Sequence, residues 1–428
     1  MQYKKKDTES MSKSSVNLLS CSTLISYLKT LDEETLSDLY DHPATCLAVF
    51  RELPELSKQF VMRLFYVEQA VPQAVVLSWV NQANHGDKAK EASAALSELG
   101  IWKDTAMPGG LPAWILDKTF RTNLKIVMIG GGEPWTMAPL AEKDPYERDV
   151  TFLDQYSQDR WDTVLHYLVG SSQQSGVSQD AVRILLHSGL MTADPDDSNQ
   201  HTITKSGFQF LLMENSSQVW YFMLQYLDTI PMRNMNLVEC LNFLFQLSFA
   251  SLGKDYSTAG LNNNMLTFLQ HLREFGLVYQ RKRTSGRFYP TRLALNIASG
   301  EKKGILERHR EGYIVVETNY RVYAYTNSDL QVSLIGLFAQ PLYRFPNLCV
   351  SLITRDSVRQ AFKGGITATQ IVRFLRMHVH KCQVEEKTKS KQAVIPPTVI
   401  DQVNMNQIRN FLGFGTNFLC GSGMIHHK

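Results

Sequence analysis

The hydrophobic and polar positions predict the same helix-to-strand junction at three places along the chain. AALSELGIW at 94–102, RILLHSGLM at 183–191 and LQHLREFGLV at 269–278 each end an amphipathic helix at a glycine that apolar residues follow. The glycines are Gly100, Gly189 and Gly276, which lie 89 and 87 residues apart. Glycine adopts the left-handed backbone that commonly ends a helix, and near-constant spacing over long segments is typical of a repeat. The pattern predicts three copies of one module; three unrelated junctions are the alternative.

Two extended segments joined by a polar turn follow each predicted junction. The turn is ADPDDSNQ after Gly189 and TSG after Gly276, and a longer loop containing MPGG follows Gly100. A helix followed by strand, turn and strand is the pattern of a winged helix, in which the hairpin forms the wing. Upstream, 160–170 has helical periodicity, and Ser178 can cap the helix that ends at Gly189. We therefore expect winged-helix-like units at 16–140, 141–230 and 231–304, after a disordered N-terminus at 1–15.

The pattern changes near residue 311. GYIVVETNYRVYAYT at 312–326 alternates and is rich in β-branched and aromatic residues, which predicts two strands with a turn near 318–319. Another strand, a proline-marked bend, a further strand and a short helix are expected over 331–362. An amphipathic helix capped by Thr367 is expected to follow, over 367–380. The overall expectation is a mainly helical α+β protein that ends in a small mixed α/β docking domain at 305–385.

The remaining sequence, 386–428, contains KTKSKQ, a Pro-Pro pair and a stretch rich in Gly, Asn and Ser without a sustained period. We expect this tail to be poorly ordered.

Composition excludes several classes of protein. The chain has 428 residues with 44% hydrophobic and 20% charged residues, which is typical of a folded protein of several domains. A net charge of +3 argues against a dedicated nucleic-acid wrapper. The six cysteines form no CxxC pair, and no signal peptide or membrane span is evident, so an intracellular protein is expected.

Known catalytic and ligand motifs are missing from the sequence. GGITATQ and LGKDYST lack the GxxxxGK[ST] arrangement of a phosphate-binding loop, and there is no HExxH or GxSxG. His378, His380 and Cys382 could be taken for metal ligands, but side chains two apart on a helix point in different directions. We therefore expect no enzyme, no cofactor and no metal.

A basic cluster falls on the predicted wing of the third unit. RKRTSGRFY places Arg281, Lys282, Arg283 and Arg287 where they could contact DNA phosphates. A solvated hairpin and a surface for an acidic protein are the alternatives. Further basic residues follow up to Arg310. A winged-helix DNA-binding transcription regulator is therefore one functional hypothesis.

Aromatic residues mark a second candidate surface. Tyr313, Tyr320, Tyr323 and Tyr325 fall within thirteen residues, and Phe338, Tyr343 and Phe345 follow. Aromatic residues on strands usually belong to a core, but tyrosine is also favoured at protein interfaces because its ring ends in a hydroxyl.

Long blocks of the chain resemble the TFIIH basal transcription factor complex subunit 4 family. They include CLAVFRELPELSKQFVMRLFYVEQAVPQAVVLSWV, RWDTVLHYLVG, LREFGLVYQRKRTSGRFYPTRLALNI and GYIVVETNYRVYAYTNSDLQVSLIGLF. The resemblance covers about nine-tenths of the chain.

This resemblance implies a non-catalytic core subunit of TFIIH, in the nucleus, that serves RNA polymerase II transcription initiation and nucleotide excision repair. Family members anchor the XPB-type DNA translocase and stimulate its ATPase, and the translocase-binding region corresponds to about 311–382 here. Tyr313, Tyr320, Tyr323, Tyr325 and Arg344 are our candidates for translocase docking, chosen by residue type. The winged-helix-like units would contact other TFIIH core subunits more than double-stranded DNA.

The sequence departs from the family near Val403. NMNQIRNFLGFGTNFLCGSGMIHHK does not resemble the further small domain that in the family pairs with the smallest TFIIH subunit. We therefore expect no stable complex with that small subunit, and co-purification of the two proteins would contradict this expectation.

Overall fold

The computed structural model describes residues 24–132, 134–142, 144–170, 176–193, 201–297, 312–389 and 393–411. Three parts of the sequence analysis lie outside these residues. They are the disorder expected at 1–15, the basic residues of 298–311 and the end of the tail. The described part is mainly helical with small antiparallel sheets, as the sequence predicts. None of its helices combines the length and apolar character needed to cross a membrane.

The chain divides into two compact units. Unit 1 consists of 1–161 and 215–303, and unit 2 of 162–214 and 304–428. Helices α1 (Leu24–Leu28), α2 (Glu33–Tyr40), α3 (Pro43–Glu52) and α4 (Glu55–Leu64) open unit 1, followed by β1 (Val71–Pro72) and α5 (Gln73–Ser78). Helix α8 (Val150–Val169) contributes residues to both units.

The predicted helix–glycine–hairpin module is present three times. The first copy is α6 (Gln82–Glu98), β2 (Trp102–Ala106), β3 (Pro112–Leu116) and α7 (Lys118–Ile129). The second is α9 (Gln179–His187), β4 (Met191–Ala193), β5 (His201–Ile203) and α10 (Lys205–Leu211). Helices α11 (Asn215–Asp228) and α12 (Leu237–Ser248) and strand β6 (Tyr256–Ser257) come next. The third copy follows them and is α13 (Asn263–Glu274), β7 (Val278–Tyr279), β8 (Arg287–Pro290) and α14 (Arg292–Ile297).

Equivalent residues make the same backbone hydrogen bonds in each copy. The amide of the residue after the glycine (Ile101, Leu190 or Leu277) donates to the carbonyl five residues earlier, at 2.9–3.1 Å. Its carbonyl accepts from the residue that precedes the next helix, Asp117, Thr204 or Thr291, at 2.9–3.0 Å. The three apolar side chains are buried. One local geometry therefore closes the helix and returns the hairpin in all three copies.

The hairpins of the first and third copies extend into sheets of the same order. The sheets are β1-β3-β2 and β6-β8-β7, all antiparallel, so a strand from upstream pairs with the second hairpin strand in both. In the second copy the described residues show only the β4–β5 pair.

Aromatic packing forms the core of unit 1. Trp102 and Trp114, on paired strands, stack with ring centroids 4.3 Å apart, and Phe60 packs beside Trp102 at 6.1 Å. Around α11, Trp161 meets Phe222 edge to face at 5.5 Å. All ten residues of α11 from 218 to 227 are buried, so this part of the helix is buried on every side.

Unit 2 contains a four-stranded antiparallel sheet of order β11-β12-β10-β9. Its elements are β9 (Tyr313–Val316), β10 (Arg321–Tyr325), α15 (Asp329–Gly336), β11 (Gln340–Phe345), β12 (Leu348–Leu352), α16 (Arg355–Lys363) and α17 (Ala368–Met377). The predicted β9–β10 hairpin and the helix capped by Thr367 are both confirmed.

Two expectations about the C-terminal third were wrong. Residues 329–336 form helix α15 instead of a strand, because the Ser328 hydroxyl accepts the Gln331 amide and caps a helix. The tail at 386–428, expected to be poorly ordered, contains helix α19 (Pro397–Phe411), and α18 (Lys381–Lys389) extends into its start. Val399 and Val403 are buried one turn apart on α19, and two such positions are too few to reveal a period in the sequence.

The third junction glycine predicts a stability difference. Gly276 and Gly100 both have positive φ, 82° and 64°. A Cβ at Gly276 would lie 2.9 Å from Arg160 Cβ and from Ser157 O, whereas one at Gly100 would meet nothing within 4 Å. Gly100→Ala should cost about 1–2 kcal/mol of backbone strain, and Gly276→Ala roughly 2–5 kcal/mol because the clash is added. Urea unfolding measures both; equal losses would contradict the contact.

Candidate protein-binding surface

The four-stranded sheet of unit 2 has one buried and one exposed face. Successive side chains of a strand point to opposite faces, and the buried positions include Ile314, Val316, Val322 and Ala324. On that side Phe338 packs edge to face on Phe374 of α17, with centroids 5.7 Å apart. The helices therefore cover one face of the sheet only.

Aromatic side chains and one arginine line the opposite face. By strand register this aromatic face consists of Tyr313, Arg321, Tyr323, Tyr325, Tyr343 and Phe345. Tyr313 and Tyr325 are cross-strand partners that stack at 4.6 Å. The His380 ring meets Tyr313 edge on at 4.5 Å. The rings are held by one another and present their remaining surface to solvent.

The backbone at the start of β9 fixes this stack. Gly312 has φ of 111°, and a Cβ there would lie 2.4 Å from the Tyr325 carbonyl oxygen. Only glycine fits this close approach, which places Tyr313 directly opposite Tyr325.

Strand β11 is the open edge of the sheet. All six of its residues are exposed, with Tyr343 at 62% and Phe345 at 51%. Tyr343 and Tyr323 flank Val350 of β12 on either side. Large apolar side chains that stay solvent-exposed in a row are typical of a surface that binds another protein.

Arg321 belongs to this face and was missed by reasoning on residue type. The pKa of its guanidinium is raised above the ordinary value, chiefly by a hydrogen bond to Tyr323, with smaller contributions from Glu317 and Tyr343. The period-two alternation of β10, which puts Arg321 in phase with Tyr323 and Tyr325, is the sequence signal that could have identified it.

Two of the predicted docking residues lie away from the aromatic face. Arg344 pairs with Asp329 at 3.1 Å and donates to the Thr326 carbonyl at 3.2 Å, so it ties the edge strand to the start of α15. Tyr320 occupies the β9–β10 turn with φ of 69°, and its carbonyl accepts the Ile353 amide at 2.9 Å. Tyr313, Tyr323 and Tyr325 are the predicted residues that the sheet brings together.

The histidines near the end of α17 have protein partners. His378 Nδ1 lies 2.8 Å from the Phe374 carbonyl, and His380 Nδ1 accepts the Cys382 amide at 3.2 Å. Among the described residues no group of three or more His, Cys, Asp or Glu side chains is placed to hold a metal ion. The rings of the aromatic face, the Arg321 guanidinium and the open edge strand β11 are instead groups of the kind that bind a protein surface.

The four basic residues of the predicted wing have different surroundings in unit 1. Arg281, Lys282 and Arg283 are exposed in the β7–β8 turn. The Arg281 guanidinium lies over the Tyr146 ring, 3.5 Å from its centroid, and Arg283 lies 3.5 Å from Glu274. The tip of the hairpin is therefore positively charged, with Arg281 positioned by the Tyr146 ring and Arg283 by the Glu274 carboxylate.

Arg287 does not join the other three. It pairs with Asp255 at 2.8 Å and with Glu142 at 3.3 Å, and it donates to the Glu142 carbonyl at 2.7 Å. The hydrogen bond to Asp255 is the main reason that the pKa of Arg287 lies above its ordinary value. This side chain joins β8 to two distant segments, and contact with DNA phosphates would require those pairs to break.

The placement of Arg287 predicts a structural phenotype. Arg287→Ala should lower the thermal unfolding midpoint, because it leaves the Asp255 carboxylate, whose side chain is 12% exposed, without its cation. Lys282→Ala, at an exposed position of the same turn, should leave the midpoint unchanged. Differential scanning calorimetry compares them, and an unaltered midpoint for Arg287→Ala would show that the ion pairs contribute nothing.

Comparison with known proteins gives a consistent result. The family model described as "Transcription factor Tfb2" matches residues 26–381. The "General transcription and DNA repair factor IIH subunit TFB2" of Yarrowia lipolytica is 37% identical, over 89% of this chain and 82% of that protein. The Saccharomyces cerevisiae protein of the same name is 32% identical, over 89% and 85%. "General transcription factor IIH subunit 4" of Dictyostelium discoideum is 32% identical, over 90% and 86%.

Proposed function

The chain belongs to the transcription factor Tfb2 family, and we propose that it is a non-catalytic core subunit of the general transcription and DNA repair factor TFIIH. It would act in the nucleus, in RNA polymerase II transcription initiation and in nucleotide excision repair. The names of its relatives in fungi and Dictyostelium support this role. Its contribution is to hold other subunits in place.

The partner that we assign to unit 2 is the XPB-type translocase. The single observation that carries this assignment is the two-sided sheet, in which helices cover one face while tyrosines and Arg321 remain exposed on the other. Tyr and Arg are the residue types most often found as energetic anchors of protein interfaces. We propose that the aromatic face receives the translocase and that its occupation stimulates the ATPase.

The five residues predicted for docking take different roles in this proposal. Tyr323 and Tyr325 would contact the translocase directly, and Tyr313 would support Tyr325 through the 4.6 Å stack. Arg344 would act by holding the edge strand through its pair with Asp329. Tyr320 would border the contact from the β9–β10 turn.

We further propose that the three helix–glycine–hairpin modules are winged-helix-like units that serve as framework for other core subunits. The shared sheet order of the first and third modules supports this, because an upstream strand beside a hairpin is the arrangement of a winged helix. The boundaries 16–140, 141–230 and 231–304 remain predictions.

The aromatic face is tested with the double variant Tyr323→Ala/Tyr325→Ala in the full chain. Loss of one exposed and one half-buried ring of the aromatic face should weaken binding of the purified translocase at least about tenfold and reduce ATPase stimulation to a similar degree. Biolayer interferometry gives the affinity, and phosphate release gives the stimulation.

Tyr66→Ala is the matched control. Tyr66 is 68% exposed in unit 1 and lies outside the sheet, so its replacement should leave both measurements unchanged. If the double variant, shown to be folded by circular dichroism, binds and stimulates like the parent chain, the aromatic face is not the docking surface.

A further inference from the structure

Three exposed arginines of unit 1 place their guanidinium groups over aromatic rings. The guanidinium carbon of Arg148 is 4.6 Å from the centroid of Phe152, and that of Arg160 is 5.6 Å from Tyr156. Arg281 is 3.5 Å from the Tyr146 centroid. A ring that covers one face of a guanidinium leaves the N–H groups around its edge available to acceptors.

The rings under Arg148 and Arg160 belong to one cluster. Phe152 and Tyr156 lie one turn apart on α8, and the ring of Tyr279 meets them edge to face at 5.2 and 5.0 Å. The Tyr156 hydroxyl donates to the Arg273 carbonyl at 2.9 Å, which fixes its ring. The two arginines therefore stand on a rigid aromatic base.

A ring contact and two hydrogen bonds connect the third pair, Arg281 and Tyr146, to the same cluster. Tyr279 neighbours Tyr289 at 6.2 Å, and the Tyr289 hydroxyl donates to Asp144 at 2.7 Å. Asp144 also accepts the Tyr146 amide at 2.9 Å. These hydrogen bonds lower the pKa of Asp144, the one from Tyr146 most. The three arginines and their rings are thus linked through Tyr279, Tyr289 and Asp144. Arg148, Arg160 and Arg281 with the rings of Tyr146, Phe152 and Tyr156 are called the arginine–aromatic surface.

In the described part of the chain the arginines of this surface make no direct ion pair with a carboxylate. Within the described residues, no Asp or Glu oxygen lies within 4.0 Å of Arg148, Arg160 or Arg281. The nearby Asp149 is engaged by the Thr151 hydroxyl and the Phe152 amide. Asp149 and Asp144 act on Arg148 and Arg281 only through longer-range attraction. Guanidiniums that make no direct ion pair among the described residues are complementary to carboxylates or phosphates supplied by another molecule.

The charges around the arginines distinguish these two sources. Glu147 and Asp149 flank Arg148, Asp159 precedes Arg160, and all three acidic residues are exposed. A closely spaced row of phosphates would be repelled by these carboxylates. A protein segment can place single carboxylates at the arginines and apolar atoms on the rings, and the surface has the Tyr and Arg composition of protein interfaces.

We propose that the arginine–aromatic surface is a docking site for a carboxylate-bearing protein segment. It is separate from the aromatic face of unit 2, and the proposal does not depend on the translocase assignment. The hairpin cation Arg281 would serve this acidic partner instead of duplex DNA.

The test is charge reversal with two probes of equal charge. Fluorescence anisotropy measures binding of the full chain to a labelled peptide of repeated Glu-Gly-Leu-Gly units, in which the carboxylates are spaced and alternate with apolar side chains, and to a labelled DNA duplex with the same number of negative charges. The parent chain should bind the duplex more weakly than the peptide. Arg148→Glu/Arg160→Glu should weaken peptide binding at least about tenfold. The matched control is Arg63→Glu, since Arg63 is an exposed arginine 5.1 Å from the Trp79 centroid in the same unit, and it should bind like the parent.

Three results would overturn the proposal. They are no measurable binding of the acidic peptide by the parent chain, equal peptide affinity in the parent and the reversed variant, and a loss of affinity confined to the duplex, which would identify a nucleic-acid surface. Calorimetry establishes that each variant is folded. If charge reversal prevents folding, Arg148→Gln/Arg160→Gln removes the charges while keeping polar side chains, and the same comparison applies.

Discussion

The protein depends on one backbone joint that it uses three times. At each joint a left-handed glycine ends a helix, and the next residue, Ile101, Leu190 or Leu277, donates to a carbonyl of the last helical turn while its side chain is buried. The same residue's carbonyl then receives the start of the following helix. Because both backbone groups of this buried residue are satisfied, the helix, hairpin and next helix are fixed by one position.

The four-stranded sheet of unit 2 has two faces with different surroundings, because successive side chains of a strand point to opposite faces. Helices of unit 2 bury Ile314, Val322 and their neighbours, while the alternate positions carry partly or fully exposed tyrosines. The open edge β11 extends that surface, and Arg344 holds the edge without being part of it. A folded scaffold that leaves large apolar rings in solvent is suited to hold a partner, since their burial stabilises a complex.

Arginines in this protein act in two distinct ways, and their neighbours decide which. Arg287 and Arg292 face carboxylates at 2.8 and 2.9 Å and join segments within unit 1. Arg148, Arg160 and Arg281 lie over aromatic rings and are exposed to solvent. The same residue type therefore stabilises the fold at one position and presents a binding group at another, although net charge alone would count them equally.

The sequence by itself determined the three junctions, the β9–β10 hairpin and the helix capped by Thr367, because glycine conformation, strand alternation and helix caps act within a few residues. It also determined the family, since long blocks of residues carry that resemblance. Tertiary structure decided that 329–336 is a helix, that β11 is an open edge, and that Arg287 is engaged while Arg281 is available. The partners of Arg287 lie 32 and 145 residues away in the chain. No local pattern encodes such contacts; only the packing of the folded chain brings those charges together.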